Sequence, residues 1–436
     1  MHINKTLFEN KNWKTIDVEM NKLKKRISSI SKNKEAKTVA GNLMWLSALQ
    51  VAGYMFPLIT MPYLARVIGI TGFGKIAFAA AIMLWIQAIA DWGFNLTATR
   101  DVAQNRDNPQ TVSKIFSNVL WARFCLTLVS FVVLFSLILI IPKLRENAEI
   151  ILVTFLMIPG HVLFPDWFFQ AMERMKYITI LNVVMKLFFT LAVFIFIKEP
   201  DDYILQPLFT SLGYVLSGVI ALYYILVKWG IRLYRPNWSE IWNTIKGSTD
   251  VFINQLMPNL YNSFSTMLLG FWGGGSAVGI LDGGNKFVYI GTQLLTTINR
   301  AFYPFLSRRI EKHSLFVKVT MGISIIMCAT LFLGAPLFVK YMLSAEFADS
   351  VYVIQIKAIT LVFFAMFRAY GANYLIIKHQ ESILRKITMY CSLLGFVIAW
   401  PLVYYYGYIG ASLTATISIG LLAISSYTAS KTIKNI

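Results

Sequence analysis

The sequence predicts an all-α polytopic membrane protein with twelve transmembrane helices in two pseudo-symmetric six-helix lobes. Three observations carry that expectation. The 436 residues are 57% hydrophobic and only 14% charged, against about 25% charge in ordinary soluble domains. Twelve apolar runs are long enough to cross roughly 30 Å of hydrocarbon at a helical rise of about 1.5 Å per residue. The lysines and arginines gather in alternate joints between those runs.

The same figures exclude other classes. A formal charge of +19 would suit nucleic acid if the basic residues shared a wettable face, but they sit between apolar runs. Cys125, Cys328 and Cys391 lie in apolar stretches and form no disulfide framework. Ten lysines and arginines from Lys5 to Lys37 precede the first long apolar run, too long and basic a segment for a standard signal peptide. Residues 1–38 are therefore read as an uncleaved cytosolic arm that sets topology and meets anionic lipid headgroups.

The expected spans are 39–61, 74–95, 116–141, 149–169, 177–197, 205–227, 248–272, 283–305, 317–339, 351–376, 387–406 and 408–430. Pro57 and Pro62 bend the first or mark its end, and Gly69, Gly72 and Gly74 permit a tight joint to the second. Trp85, Trp92, Trp121, Trp167, Trp229 and Trp400 anchor span ends or fill contacts between helices. With the amino terminus in the cytoplasm, 29 lysines and arginines fall on that side. Arg66, Lys75, Lys143, Arg145, Lys198 and Lys340 fall on the other, so both termini are expected inside. The longest internal polar joint, 228–247, divides the spans into lobes at 39–227 and 248–430, with 431–436 as a cytoplasmic tail. A faint internal echo agrees, since Pro57 through Gly69 and Gly74 resembles Pro258 through Gly270 and Gly279.

Five cations remain in or near spans: Arg123, Lys186, Lys286, Lys357 and Arg368. A cation facing hydrocarbon costs roughly 3 kcal/mol or more, so each either snorkels, pairs with an acid or faces a wet interior. Arg123 is near enough to a helix start to snorkel, whereas Lys186 is mid-span. An ammonium offers a point charge and a guanidinium a donor fork, both suited to an anion such as phosphate. The candidate substrate-binding set is thus Lys186, Arg368, Lys286, Lys357 and Arg123. Asp91, with Arg100 nine positions on, reads either as a bundle-internal counterion or as a proton-coupling carboxylate, and Asp250 joins them as a coupling or ion-pair candidate. Asp282, near Gly283 and Gly284, reads as a helix cap or an outer contact. His2, His161, His313 and His379 have no metal-ligand spacing, and no Gly-rich phosphate loop ends in Lys-Ser or Lys-Thr. No enzymatic module, metal or cofactor is expected.

Ordered pieces along the chain carry a resemblance. They are Pro62-Tyr63-Leu64-Ala65-Arg66-Val67 with Gly72-Phe73-Gly74, then Asp91-Trp92-Gly93-Phe94-Asn95 through Arg100-Asp101-Val102-Ala103. Later come Asn254 to Tyr261, Tyr303-Pro304, Asn373-Tyr374-Leu375-Ile376 and Tyr408-Ile409-Gly410-Ala411-Ser412. In that order and spacing the chain resembles the O-antigen repeat-unit flippases of the polysaccharide transporter family, in the MOP (multidrug, oligosaccharidyl-lipid and polysaccharide) superfamily. The resemblance implies a MATE-like pair of lobes around a central cavity in the bacterial inner membrane. It implies movement of an undecaprenyl-diphosphate-linked oligosaccharide from the cytoplasmic to the periplasmic leaflet by alternating access, with cavity cations attracting the diphosphate. No cofactor is implied beyond a coupling proton or sodium ion. Partners would be membrane lipids and, in the pathway, polymerase and chain-length proteins; nucleic acid is not among them, and a monomer is expected. The competing readings are an ion-coupled drug antiporter of the same superfamily and a membrane glycan polymerase. Asp282-Gly283-Gly284 departs from the helix entry many relatives show.

Overall fold

The computed structural model describes residues 34–434, so almost all of the basic arm expected over 1–38 lies outside the described residues. The helices in chain order are α1 (Lys34–Val67), α2 (Gly69–Asp91), α3 (Phe94–Gln104), α4 (Pro109–Ile140), α5 (Pro142–Glu146), α6 (Ala148–Phe155), α7 (Met157–Leu163) and α8 (Asp166–Ala171). They continue as α9 (Met175–Phe196), α10 (Leu205–Tyr223), α11 (Trp238–Leu256), α12 (Ser263–Trp272), α13 (Gly274–Arg308), α14 (His313–Met342), α15 (Ser350–Phe367) and α16 (Glu381–Lys434). Among the described residues there is no strand, as expected where every backbone polar group must be satisfied within its own segment.

Nine stretches among the described residues are long and apolar enough to cross a membrane. The last, Glu381–Ile433, supplies two spans, because Gly407 takes φ 54° and ψ −128° and turns the chain back on itself inside α16. A side chain there would strain the left-handed backbone. The other two expected spans, 248–272 and 283–305, are helical but fall short in apolarity or continuity. The first is α11 and α12, separated by a 3-10 turn at Met257–Leu260 that contains Pro258. The second is α13, which is longer than expected and carries Tyr289, Gln293, Thr297 and Arg300 along one face. Exposed apolar side chains such as Leu128, Val132, Ile140 and Leu333 cover the outside of the bundle, a surface that lipid rather than water solvates. The chain is a multi-pass membrane protein.

Local chemistry sets the helix ends. Asn108 caps α4 by accepting from the Gln110 and Thr111 amides, with Pro109 in the first turn where its missing N–H costs nothing. Asn237 likewise caps α11, so the expected linker 228–247 is irregular only to Asn237 and its second part is helix. Gly69, at φ 64°, makes the sharp break between α1 and α2. Gly72 and Gly74 do not form the joint expected of them. They lie inside α2, where a missing side chain allows close helix approach.

Packing divides the helices into two groups. In the first, α9 packs on α1 and α10, and α10 on α7; in the second, α15 packs on α13, α14 and α16, and α12 on α16. Between the groups, α2 packs on α13 and α12, while α11 leans on α4 and α2. Within the second group, α13 runs parallel and in fixed register with α15 and the π-helical segment Arg368–Leu375 that continues it. Ser350 Oγ donates to the Ile280 carbonyl, Lys357 to Asn285, Arg368 to Thr296 and Asn373 to Asn299, at sequence offsets of 70, 72, 72 and 74. In the first group, α2 and α7 are joined where Asp91 faces His161. Gly74 and Gly279 are 205 residues apart, as are Asp91 and Thr296, and His161 and Arg368 are 207 apart.

Candidate functional site

The two groups meet differently at the two ends of the bundle. At the end carrying the α1–α2 break, backbone meets backbone. A Cβ placed on Gly74 would lie 2.6 Å from the Gly275 carbonyl carbon and 2.7 Å from the Gly279 amide nitrogen. Around this glycine seam, Thr71 and Ser276 hydroxyls are 3.1 Å apart, Arg66 Nη2 donates to the Tyr341 carbonyl at 2.8 Å, and Glu346 Oε2 accepts from the Ile70 amide at 2.9 Å. The Lys286 ammonium crosses the seam to sit 3.8 Å from the Phe73 ring centroid, a cation–π contact that holds the charge over an apolar face.

At the end carrying residues 34 and 434, α11 sides with the first group. Trp92 stacks on Phe252 at 4.0 Å, Thr97 and Ser248 hydroxyls are 2.7 Å apart, and Glu240 pairs with Lys114 at 2.8 Å and accepts from Asn118 at 3.0 Å. The Lys114 hydrogen bond, joined by that from Asn118, holds the Glu240 carboxyl below the usual glutamate range. On the opposite flank α1 faces α13, where Thr297 Oγ1 donates to Gln50 Oε1 at 3.3 Å. The α13 face toward α1 stays open: Tyr289 is 58% exposed, and Thr297 and Arg300 are exposed.

The five expected cations separate on this framework. Arg123 does not snorkel and does not reach a passage. It is 2% exposed, in the middle of α4, and its guanidinium is ion-paired with Asp91 of α2. The physical reason is the packing of α4 against α2, which takes the charge out of reach of either surface and makes a carboxylate partner obligatory. His161 of α7 closes the group, its Nε2 3.5 Å from Asp91 Oδ2. Asp91 is thus the counterion of Arg123, not of Arg100, which pairs with its neighbour Asp101 at 2.8 Å. Lys286 is paired with Asp282 at 3.0 Å. Asp282 lies within α13 and caps nothing, since that helix begins at Gly274.

The remaining three have no ion-pair partner among the described residues. Lys357 donates to the Asn285 side chain. Arg368 touches Thr296 Oγ1 at 3.5 Å and the Phe364 ring at 5.1 Å, and its buried Nε finds no acceptor. Lys186 of α9 rests against α1, its Nζ 3.4 Å from where a Gly53 Cβ would stand. Asp250 is exposed on α11 and forms no ion pair among the described residues. Where Asp91, Arg123 and His161 form a closed group, Arg368 stands opposite a neutral threonine.

Sequence reasoning did not single out Arg300, His161, Gln50, Tyr54, Tyr289, Gln293 or Thr297 as site residues. The signal for most was present: 289, 293, 297 and 300 recur at helical spacing as polar residues in an otherwise apolar span. Among the described residues no group of histidines, cysteines and acids could hold a metal ion.

Comparison with known proteins places this geometry in context. A family model described as "Polysaccharide biosynthesis protein" matches residues 39–310. A protein of Escherichia coli (strain K12) named "Putative O-antigen transporter" is 28% identical over 381 residues, covering 86% of this chain and 92% of the relative. One of the same name from Shigella dysenteriae is 26% identical over 382 residues, covering 84% and 93%. Among solved structures, the lipid II flippase MurJ in an inward closed conformation matches with TM-score 0.71 at 12% identity, over 89% of this chain and 87% of that one. An inward-facing multidrug resistance MATE family transporter of the MOP superfamily matches with TM-score 0.65 at 16% identity, over 90% and 98%. At these identities the two structures speak for a shared all-α fold.

Proposed function

We propose, on the premise that this chain belongs to the polysaccharide biosynthesis protein family, that it moves a lipid-linked oligosaccharide across the bacterial inner membrane. The substrate class is undecaprenyl diphosphate carrying an O-antigen or related repeat unit, taken from the cytoplasmic and delivered to the periplasmic leaflet. The excess of lysine and arginine at the end carrying residues 34 and 434 supports a cytoplasmic position for that end, with the glycine seam as the periplasmic closure.

The observation that carries this reading is the set of cations without carboxylates. Lys186, Arg368, Lys357 and Arg300 form no ion pair among the described residues, although all four fall inside expected spans. An ammonium or guanidinium in that setting is stabilised by an anion that arrives from outside the protein. A diphosphate on a lipid supplies that charge while its polyprenyl tail stays in hydrocarbon beside α1 and α13. Opening the glycine seam as the other end closes would then expose the head group to the periplasm. No phosphate bond breaks, no resident cofactor is needed, and the energy comes from a proton or sodium gradient or the membrane potential. A cation antiporter would need a free buried acid, and Asp91 is already neutralised by Arg123.

The test is leaflet inversion of a fluorescent oligosaccharide-diphosphate-undecaprenol in proteoliposomes. Protein-dependent inversion without chain elongation is expected, with Lys186→Ala and Arg368→Ala each slowing it about tenfold or more in folded protein, the scale of one lost charge-assisted contact. Elongation without inversion would replace the reading with that of a polymerase.

A further inference from the structure

The flank between α1 and α13 holds a patch whose chemistry differs from that of the cations. On α13, Tyr289, Gln293 and Thr297 follow one another at four-residue spacing; on α1, Gln50 and Tyr54 do the same. The two rows run antiparallel and meet. Thr297 Oγ1 donates to Gln50 Oε1 at 3.3 Å. Gln293 and Tyr289 stand one and two turns along α13 from Thr297, and Tyr54 one turn along α1 from Gln50. Every side chain in this strip is neutral, each offers a donor and an acceptor, and two present aromatic faces. Five such residues turned toward hydrocarbon would be costly. The Thr297–Gln50 contact turns both rows toward each other.

The strip is bracketed by charge. Gly53, next to Tyr54, abuts the Lys186 ammonium. One turn beyond Thr297, towards the end carrying residues 34 and 434, stands Arg300, and Arg368 reaches α13 at Thr296. Along one flank, therefore, groups that suit a diphosphate stand beside groups that suit neutral hydroxyls and the apolar C–H face of a pyranose ring.

We propose that Gln50, Tyr54, Tyr289, Gln293 and Thr297 form a sugar-reading strip for the residue attached directly to the diphosphate, and so determine which glycan is accepted. The inference rests on the lipid-linked oligosaccharide reading above and specifies it: the cations bind what all such substrates share, and the strip binds what distinguishes them. Carbohydrate recognition needs hydroxyl partners with fixed direction, and the mutual Thr297–Gln50 contact keeps the strip aligned before the substrate arrives.

Two probes separate the parts: undecaprenyl diphosphate carrying one hexose, and undecaprenyl diphosphate with no sugar. Binding of each to the full-length protein in nanodiscs is measured for wild type, Tyr289→Phe, Gln293→Ala and Lys186→Ala, with melting temperature as the control for folding. Tyr289→Phe keeps the ring and removes only the hydroxyl, which guards against a variant that merely unfolds. The expected result is a loss of about tenfold for the glycosylated probe in Gln293→Ala and severalfold in Tyr289→Phe, on the scale of one or two buried neutral hydrogen bonds. Binding of the bare diphosphate should change less than about twofold in both, while Lys186→Ala weakens both probes alike. If Gln293→Ala and Tyr289→Phe lower both probes equally, or neither, the strip reads no sugar and the proposal is overturned while the flippase reading stands. If wild type binds neither probe, both fall.

Discussion

Replacing Gly74 with alanine tests the closure between the two halves at the point where it has least slack. The added Cβ would stand 2.6 Å from the Gly275 carbonyl carbon and 2.7 Å from the Gly279 amide nitrogen, where comfortable contact begins near 3.5 Å. Both neighbours are backbone, so no side chain can swing aside and the helices must part by about 0.9 Å or more. Overpacking of this kind costs about 1–3 kcal/mol. Charged entirely to the closed seam, that raises the open population roughly 5- to 150-fold, at about 1.36 kcal/mol per tenfold. The assay is the rate at which a membrane-impermeant maleimide labels Ser276→Cys, beside the seam, with Cys125, Cys328 and Cys391 changed to serine. Gly74→Ala should accelerate labelling at least about fivefold and slow leaflet inversion, while Gly322→Ala, with nothing within 4 Å of its added methyl, should do neither. Unchanged labelling in a Gly74→Ala protein that melts normally would refute the claim that the glycine contact closes this end.

Arg123→Ala should cost about 3–5 kcal/mol by leaving Asp91 uncompensated, seen as a large drop in melting temperature in detergent. The Arg123→Met, Asp91→Asn double variant should recover part of that loss, and strict additivity would mean that the pair is not coupled. Glu240 supplies a pH signature. Its folded carboxyl titrates below the ordinary value of 4.5 because Lys114 and then Asn118 hydrogen-bond to it. The stability it adds is present above that ordinary value and lost as pH falls through the depressed folded value. The melting-temperature gap between wild type and Glu240→Gln should therefore be open at neutral pH and close below about pH 4.5; a gap that widens on acidification would contradict the pairing.

The spans were legible because lipid imposes a length and a composition that no other environment does. Span 283–305 was placed too late by nine residues at its start, since the helix opens at Gly274 in a glycine-rich stretch that reads as a turn. Glycine announces permissive backbone, but only the partner helix decides whether that freedom is used for a bend, as at Gly69, or for close approach, as at Gly74. Partner choice was the other hidden quantity. Arg100 is near Asp91 in sequence, yet Arg123, 32 residues away, takes the pairing, because α4 lies against α2 and the arginine there has nowhere else to discharge its field. Lys186 and Arg368 stood out in the sequence as mid-span charges, whereas the neutral strip did not, since tyrosine, glutamine and threonine in a helix carry no comparable anomaly until their shared face is seen.

The unbroken length of α13 has a mechanical consequence. From Gly279 at the seam to Arg300 it spans 21 residues of continuous helix, about 32 Å at 1.5 Å per residue, and its ladder to α15 prevents the two from sliding past one another. On the transport reading, a helix of that length turning as one unit would carry Arg300 outward as its Gly279 end moves inward, so that a single element would couple the two ends of the bundle.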